Sequence, residues 1–299
     1  MAAAKASANS LSKKLGGLLK RNNANQKIQL IPQEKETAVC AVRNKKLSFR
    51  YAYARAHESI LLGDKGQDYL AFINQGNTFV FALCDGVSQS FYGDIAAKYL
   101  GDTLLDWFDH YLPEGMNPEP IQLALNTVLA KSTEAGTQLV NSHPLAADLP
   151  PMFKDVLEDK RKLGSETTFI AARVDLPSAA YKEGRAVFAW LGDSRLRIFN
   201  DRQEITPLLP GAFETMQRWS SKRGSLGSMV HVYVSTINGL AGIRRVLAYT
   251  DGLSSLDGHT AVLSNQILQN LMQQAGEMPT SDDIAMVELL LAPWNNQLK

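Results

Sequence analysis

Thr78–Gly93 reads TFVFALCDGVSQSFYG, and the arrangement of the chain is decided here. Phe79 to Cys84 is an unbroken apolar run, short enough for a buried strand. The run stops at Asp85-Gly86, so a carboxylate sits where a core strand surfaces into a loop. A polar Ser/Gln segment follows, and a helical pattern opens at Asp94. Taken alone this is weak, because Asp-Gly is among the commonest turn dipeptides. It gains weight by returning. Arg244–Thr250 is another apolar run ending at Asp251-Gly252, and Asp282 lies just before a last one, Ile284–Leu291.

Working outward, Leu47, Phe49, Tyr51 and Tyr53 alternate with Ser48, Arg50, Ala52 and Ala54, the period of a half-buried strand. The turn-rich segment Gly63–Asp68 leads into a strand over Tyr69–Ile73. Residues 94–113 form an amphipathic helical pattern with Ile95, Leu100, Leu104, Trp107 and Phe108 on one face, and a second runs from about Ile121 to Val140. Two successive helices flanked by strands predict helices packed on a mostly antiparallel sheet. His143–Met152 is proline-rich and Lys154–Lys162 charged, which reads as a loop with a helical turn. Thr167–Val174, Ala186–Leu191 and Leu196–Phe199 are spaced as a three-strand meander, Pro207–Gly227 is irregular and locally basic, and Ala261–Ala275 is helical. A division into an N-terminal extension over 1–45 and one domain over 46–299 is the simplest. Within the extension, Leu11, Leu15, Leu18 and Leu19 fall at helical spacing among lysines, although a disordered, solvated tail is the plainer reading; residues 27–45 are ambiguous.

The composition narrows the function. The 299 residues are 45% hydrophobic and 20% charged, as in a globular protein, and a net charge of +1 makes no electrostatic case for nucleic acid. Cys40 and Cys84 lack the spacing of a disulfide framework or a zinc site. No apolar run approaches the roughly 18 residues of a membrane helix, and no signal-peptide core is present, so the cytoplasm is the default compartment. His57, His110, His143, His231 and His259 are scattered without ligand spacing; His231 reads as a satisfied strand residue, and Trp107 and Trp190 as core.

If the strands bearing Asp85, Asp251 and Asp282 are neighbours, three carboxylates converge at one end of a sheet, with Asp68 a fourth candidate. Such a cluster needs a cation to stay charged at close quarters. Oxygen-only ligation favours Mg²⁺ or Mn²⁺ over zinc, and two such ions about 3.5–4 Å apart can hold a hydroxide and clamp a phosphoryl group. The competing reading is four turn or cap aspartates that never meet, and periodicity does not separate the two.

The residues also resemble the metal-dependent serine/threonine protein phosphatases of the 2C type, particularly their bacterial branch. Gly66-Gln67-Asp68 resembles the early acidic block, and Ala82–Val87 the block with the metal-bridging aspartate. Gly164–Thr168 stands for the Gly-Thr-Thr block, and Trp190–Arg195 is similar to the Val-Gly-Asp-Ser-Arg block. Ala248–Leu253 and Ser281–Ile284 resemble the last two metal-ligand regions. The blocks keep the family's order over residues 46–291.

The resemblance implies an α+β fold, a four-layer α-β-β-α sandwich with a mostly antiparallel centre flanked by helix pairs. It implies hydrolysis of phosphoserine and phosphothreonine in proteins by a hydroxide bridging two Mn²⁺ or Mg²⁺ ions, opposite a cognate kinase in signalling. Asp85 would bridge both ions, Asp251 and Asp282 would complete one shell, and Asp68 with the Gly86 carbonyl would serve the other. Asp193, with Ser194 and Arg195, is read as mainly structural. A third ion, which bacterial relatives often bind, would fall to Asp159, although a solvated loop charge explains that residue more simply.

The departures bear on activity. The family's phosphate-gripping arginine is absent near Gly63; Lys65 is the nearby cation, with Arg55 or the basic 218–223 segment as substitutes. Val87 stands where some members carry a histidine, and Ser88-Gln89-Ser90 replaces the usual glycine pair. Residues 207–228 fall where the family inserts a variable flap. The alternative function is a pseudo-phosphatase that binds phosphoproteins or signalling partners without turnover.

Overall fold

The computed structural model describes residues 28–43, 45–239 and 242–292. Two antiparallel sheets stack face to face. The first has the order β1 (Ile28–Leu30), β4 (Tyr69–Gln75), β5 (Thr78–Gly86), β6 (Glu166–Asp175), β7 (Arg185–Leu191) and β11 (His231–Ser235), with the hairpin β9 (Arg218–Ser220) and β10 (Gly224–Leu226) attached to β6. The second runs β2 (Thr37–Val42), β3 (Leu47–Ala54), β13 (Ile284–Leu291), β12 (Arg245–Tyr249) and β8 (Arg195–Phe199).

The central run of β5 is continuous because both of its faces are buried. Phe79, Phe81 and Leu83 point into the layer between the sheets, with Phe49, Phe72, Phe188, Trp190 and Leu289. After the short helix α1 (His57–Leu62), the chain builds α2 (Gly93–His110) and α3 (Pro118–Ser142), against which Val80, Ala82 and Cys84 point the other way. The far face of the second sheet is covered by α5 (Asn265–Gly276) and a 3-10 turn at Asp251–Leu256, through Leu253, Leu256, Leu268 and Met272. The four-layer α-β-β-α sandwich is therefore present. Among the described residues, however, a helix pair covers only the first sheet, and the second carries one α-helix and a 3-10 turn.

Four local expectations change. The boundary at 46 is too late, because β1 pairs with β4 and β2 with β3, so both sheets take in chain from Ile28 onward. These strands lie at sheet edges; β2 alternates half-buried and exposed positions, but its exposed residues Ala38, Cys40 and Val42 are apolar too, so no polar alternation marks it in the sequence. The amphipathic pattern at Leu11–Leu19 lies outside the described residues. Residues 154–162 belong to α4 (Pro151–Leu163), a helix with no buried residue and so without a burial period to read; it starts on Pro150-Pro151, and Arg161 holds it to the carbonyls of Val140 and His143 at 2.8 and 2.7 Å. The meander breaks after β7. Gly192, at φ +123° and with no room for a Cβ beside Thr168, turns the chain into the other sheet, where β8 pairs with β12. Finally, the irregular 207–227 stretch contains the β9–β10 hairpin. Trp107 and Trp190 are core residues, Cys84 is buried, and His231 faces Gln217 Oε1 at 3.0 Å.

Candidate active site

The ends of four strands meet at one end of the sandwich. β4 and β5 are paired so that Tyr69 faces Cys84, which puts Asp68, just before β4, beside Asp85, near the end of β5. In the second sheet Tyr249 faces Met286, so Asp251, just after β12, lies beside the Asp282-Asp283 doublet that precedes β13. Side chains lock these loops. The Thr250 hydroxyl accepts from the Ala285 N–H at 2.9 Å, and Thr167 Oγ1 donates to the Asp85 carbonyl at 2.7 Å. Asp283 accepts from the Ala56 N–H at 2.6 Å and the Gln67 N–H at 2.5 Å, so one buried carboxylate joins the chain after β3 to the chain before β4. At Gly86 a Cβ would stand 2.6 Å from both the Gln67 carbonyl oxygen and the Gly93 backbone; that close approach seats the start of α2 against the Asp-Gly turn.

The electrostatics report convergence. Burial pushes the Asp85 carboxyl well up, and the charges of Asp251, Asp282 and Asp193 push it further. Burial likewise raises Asp68, reinforced by Asp85 and Asp283 and opposed by a hydrogen bond with Thr250 from the other sheet. Asp251 is raised by burial and then by Asp282 and Asp193, and Asp283 mainly by burial. Among the described residues, Asp68 Oδ2 is fully buried without a hydrogen-bond partner. An ionised carboxylate oxygen in that position is costly unless a cation or proton meets it. Among the described residues no three His, Cys, Asp or Glu side chains are gathered into a shell that holds an ion.

Solved structures share this architecture. A serine-threonine phosphatase 2C from Toxoplasma gondii superposes with a TM-score of 0.51 at 11% identity, over 89% of this chain and 99% of that one. The serine/threonine phosphatase Stp1 from Staphylococcus aureus gives 0.50 at 18% identity, over 85% and 97%. A bacterial serine phosphatase bearing an R161A mutation gives 0.50 at 18%, over 84% and 99%. The fold is that of the 2C-type serine/threonine phosphatases. No family model matches the sequence, and no curated protein matches it.

On this 2C-type fold the sequence candidates divide. Asp68, Asp85, Asp251 and Asp282 share the end of the sandwich, and Gly86 follows Asp85 as the last residue of β5. Asp159 is on α4 with its side chain 74% exposed, paired with Lys162 at 2.7 Å. Lys65 pairs with Glu34 at 3.4 Å and lowers the carboxyl of Asp94, whose pKa burial has raised to about 6. Arg55 is held by Glu36 at 2.8 Å and by the Asp64 carbonyl. Arg218 and Arg223 both bind Glu166, at 2.5 and 2.8 Å.

Sequence reading underweighted Asp193 and Asp283. Asp193 repels both Asp85 and Asp251, so its charge belongs to the cluster. It follows the apolar run Ala186–Leu191 much as Asp85 follows Phe79–Cys84, which was a usable signal. Asp283 shows nothing in sequence beyond being the second acid of a doublet.

Proposed function

We propose that the protein is a divalent-metal-dependent phosphatase acting on phosphoserine and phosphothreonine in proteins, opposite a kinase that supplies the phosphorylated substrate. The observation that carries this reading is the mutually repelling group of Asp68, Asp85, Asp251 and Asp282 at one end of a 2C-type sandwich, with Asp68 buried, Asp85 and Asp251 half-buried and Asp282 open to solvent. Its donor set is oxygen only, and the unpartnered Asp68 Oδ2 is the kind of atom a hard cation satisfies, so the residues fit Mn²⁺ or Mg²⁺. Asp85 would be shared between two ions, Asp251 and Asp282 would belong to one, and Asp68 with the Gly86 carbonyl to the other. When bound, the ions supply Lewis acidity and an activated water.

The chain's own part is to hold these groups still. Thr167 fixes the backbone of Asp85, and Asp283 ties the loop of Asp282 to that of Asp68. Lys65, half-exposed and near Asp94 and so on the Asp283 side of the cluster, is the cation assigned to the substrate phosphate. A third ion at Asp159 is not proposed, because that carboxylate is solvated and already paired.

The test is phosphate release from a phosphothreonine peptide with Mn²⁺, with Mg²⁺ and with EDTA. Release should vanish in EDTA and fall at least a thousandfold in Asp85→Asn, about 4 kcal/mol of transition-state stabilisation. Undiminished turnover by that variant would reject the assignment.

A further inference from the structure

Beside the carboxylate cluster lies a pocket of opposite sign. It has a volume of about 190 Å³ and is lined in part by Val87, Lys160, Glu166, Arg218 and Arg223. Val87 is two residues beyond Asp85, so the pocket opens next to the loop that leaves the site. Its floor is rigid. The Val87 N–H donates to the Glu166 carbonyl at 3.0 Å, Ser90 Oγ donates to the Val87 carbonyl at 2.7 Å, and the Glu166 N–H donates to Ser90 Oγ at 3.0 Å.

The charges in this pocket do not cancel. Glu166 is buried and accepts from Arg218 and Arg223, so it neutralises one cation and aims both guanidiniums. Lys160 donates to the Ser88 carbonyl at 3.2 Å, and among the described residues no carboxylate pairs with it. Three cations thus share one carboxylate. Arg223 meets Glu166 through one terminal nitrogen while its side chain stays 56% exposed, so part of its donor fork faces solvent. Lys160 comes from α4 and Arg218 and Arg223 from the β9–β10 hairpin, so two separate elements supply positive charge to one cavity.

The geometry points to this pocket as a subsite for an acidic side chain of the substrate, close in sequence to the phosphorylated residue. The inference rests on the phosphatase reading, since it names the class of phosphoprotein that site takes. The reacting phosphate belongs with the carboxylates and their ions, whereas this pocket, without ions, already carries the charge and the directed N–H donors that recognise a carboxylate.

Two phosphothreonine peptides test it, alike except that glutamates flank the phosphothreonine in one and glutamines in the other. The readout is the ratio of their kcat/KM values. The unmodified protein should favour the glutamate peptide by about tenfold, the worth of one charge-assisted contact, and the preference should shrink as salt is raised. Arg223→Ala, which leaves the Glu166–Arg218 pair in place, should bring the ratio close to one. Lys160→Glu, whose side chain is not bound to Glu166, should invert it. A ratio of one in the unmodified protein, or a preference unchanged in both variants, overturns the subsite. If neither peptide is hydrolysed, the phosphatase reading fails by itself. The same fluorescently labelled peptides then report affinity by anisotropy: a glutamate preference lost in Arg223→Ala sustains the subsite, and equal affinities overturn it.

Discussion

Two groups of buried acids in this molecule are treated in opposite ways. On the outer face of the second sheet, Glu288 is fully buried between Arg50 and Arg245. Each guanidinium also donates through Nη1, Arg50 to the Leu263 carbonyl and Asn265 at 2.8 and 3.0 Å, and Arg245 to the Thr260 carbonyl at 2.6 Å. At the end of the sandwich, Asp68, Asp85 and Asp251 have mainly one another, and each is pushed up by burial and by its neighbours. Both arrangements cost desolvation. Glu288 recovers it inside the protein and pins the loop at 260–265 to the sheet. The aspartates leave theirs unrecovered until something positive arrives from solvent. A buried acid matched internally is structural; on the proposed reading, the unmatched ones are where a cation binds.

The contrast breaks most sharply at Glu288. Glu288→Gln leaves two buried guanidiniums without a counter-charge and should lower unfolding free energy by about 3–5 kcal/mol in urea titrations, equally with and without divalent ions. A loss that Mn²⁺ repairs would mean the two regions are not independent. Next in size is the cation itself. With Mn²⁺ at a hundred times its dissociation constant the unmodified protein should gain about 2.7 kcal/mol, read as a rise in Tm. Asp85→Asn should lose most of that gain while melting no lower than the unmodified protein in EDTA, because one of the mutually repelling charges is gone. An equal Mn²⁺ response in that variant would remove Asp85 from the ion site.

The smallest effect concerns Asp94, at the rim of the unmatched region. Its carboxyl is raised to about 6, first by burial, with Lys65 and the helix N–H groups pulling the other way. A folded pKa above the unfolded value means that the native state holds the proton more tightly. Stability from this group is therefore present below about pH 4 and is lost as pH rises through 6. Asp94→Asn should gain on the unmodified protein by about 1–2 kcal/mol over that window and level off above pH 7. A difference flat in pH would show that Asp94 is already matched by Lys65.

Much of this site was legible in the sequence. Asp85 and Asp251 stand out because an apolar run stops at each, and a strand that leaves a two-sided core must surface somewhere. The final strand Ile284–Leu291 was readable to the residue, because its apolar run is broken only by Glu288. The β1 and β2 edges and α4 were not legible, because half-exposed strands and a helix without a buried face carry no strong period. Nor was the crossing of β8, since Leu196 and Ile198 look alike whichever sheet they join.

By itself the sequence determined the alternation of strands and helices, the two-sided burial of β5, and which acids end a core strand. These follow from local pattern, where each residue's partner in the argument is a few positions away. Only the tertiary structure decided that Asp68 and Asp85 from one sheet meet Asp251 and Asp282 from the other, that Asp283 ties their loops together, and that Glu166 gathers Arg218 and Arg223 beside Val87. The ties of Arg218 to Glu166 and of Asp283 to Gln67 join residues 52 and 216 positions apart. They depend on sheet register and on the stacking of two sheets, which no local pattern encodes.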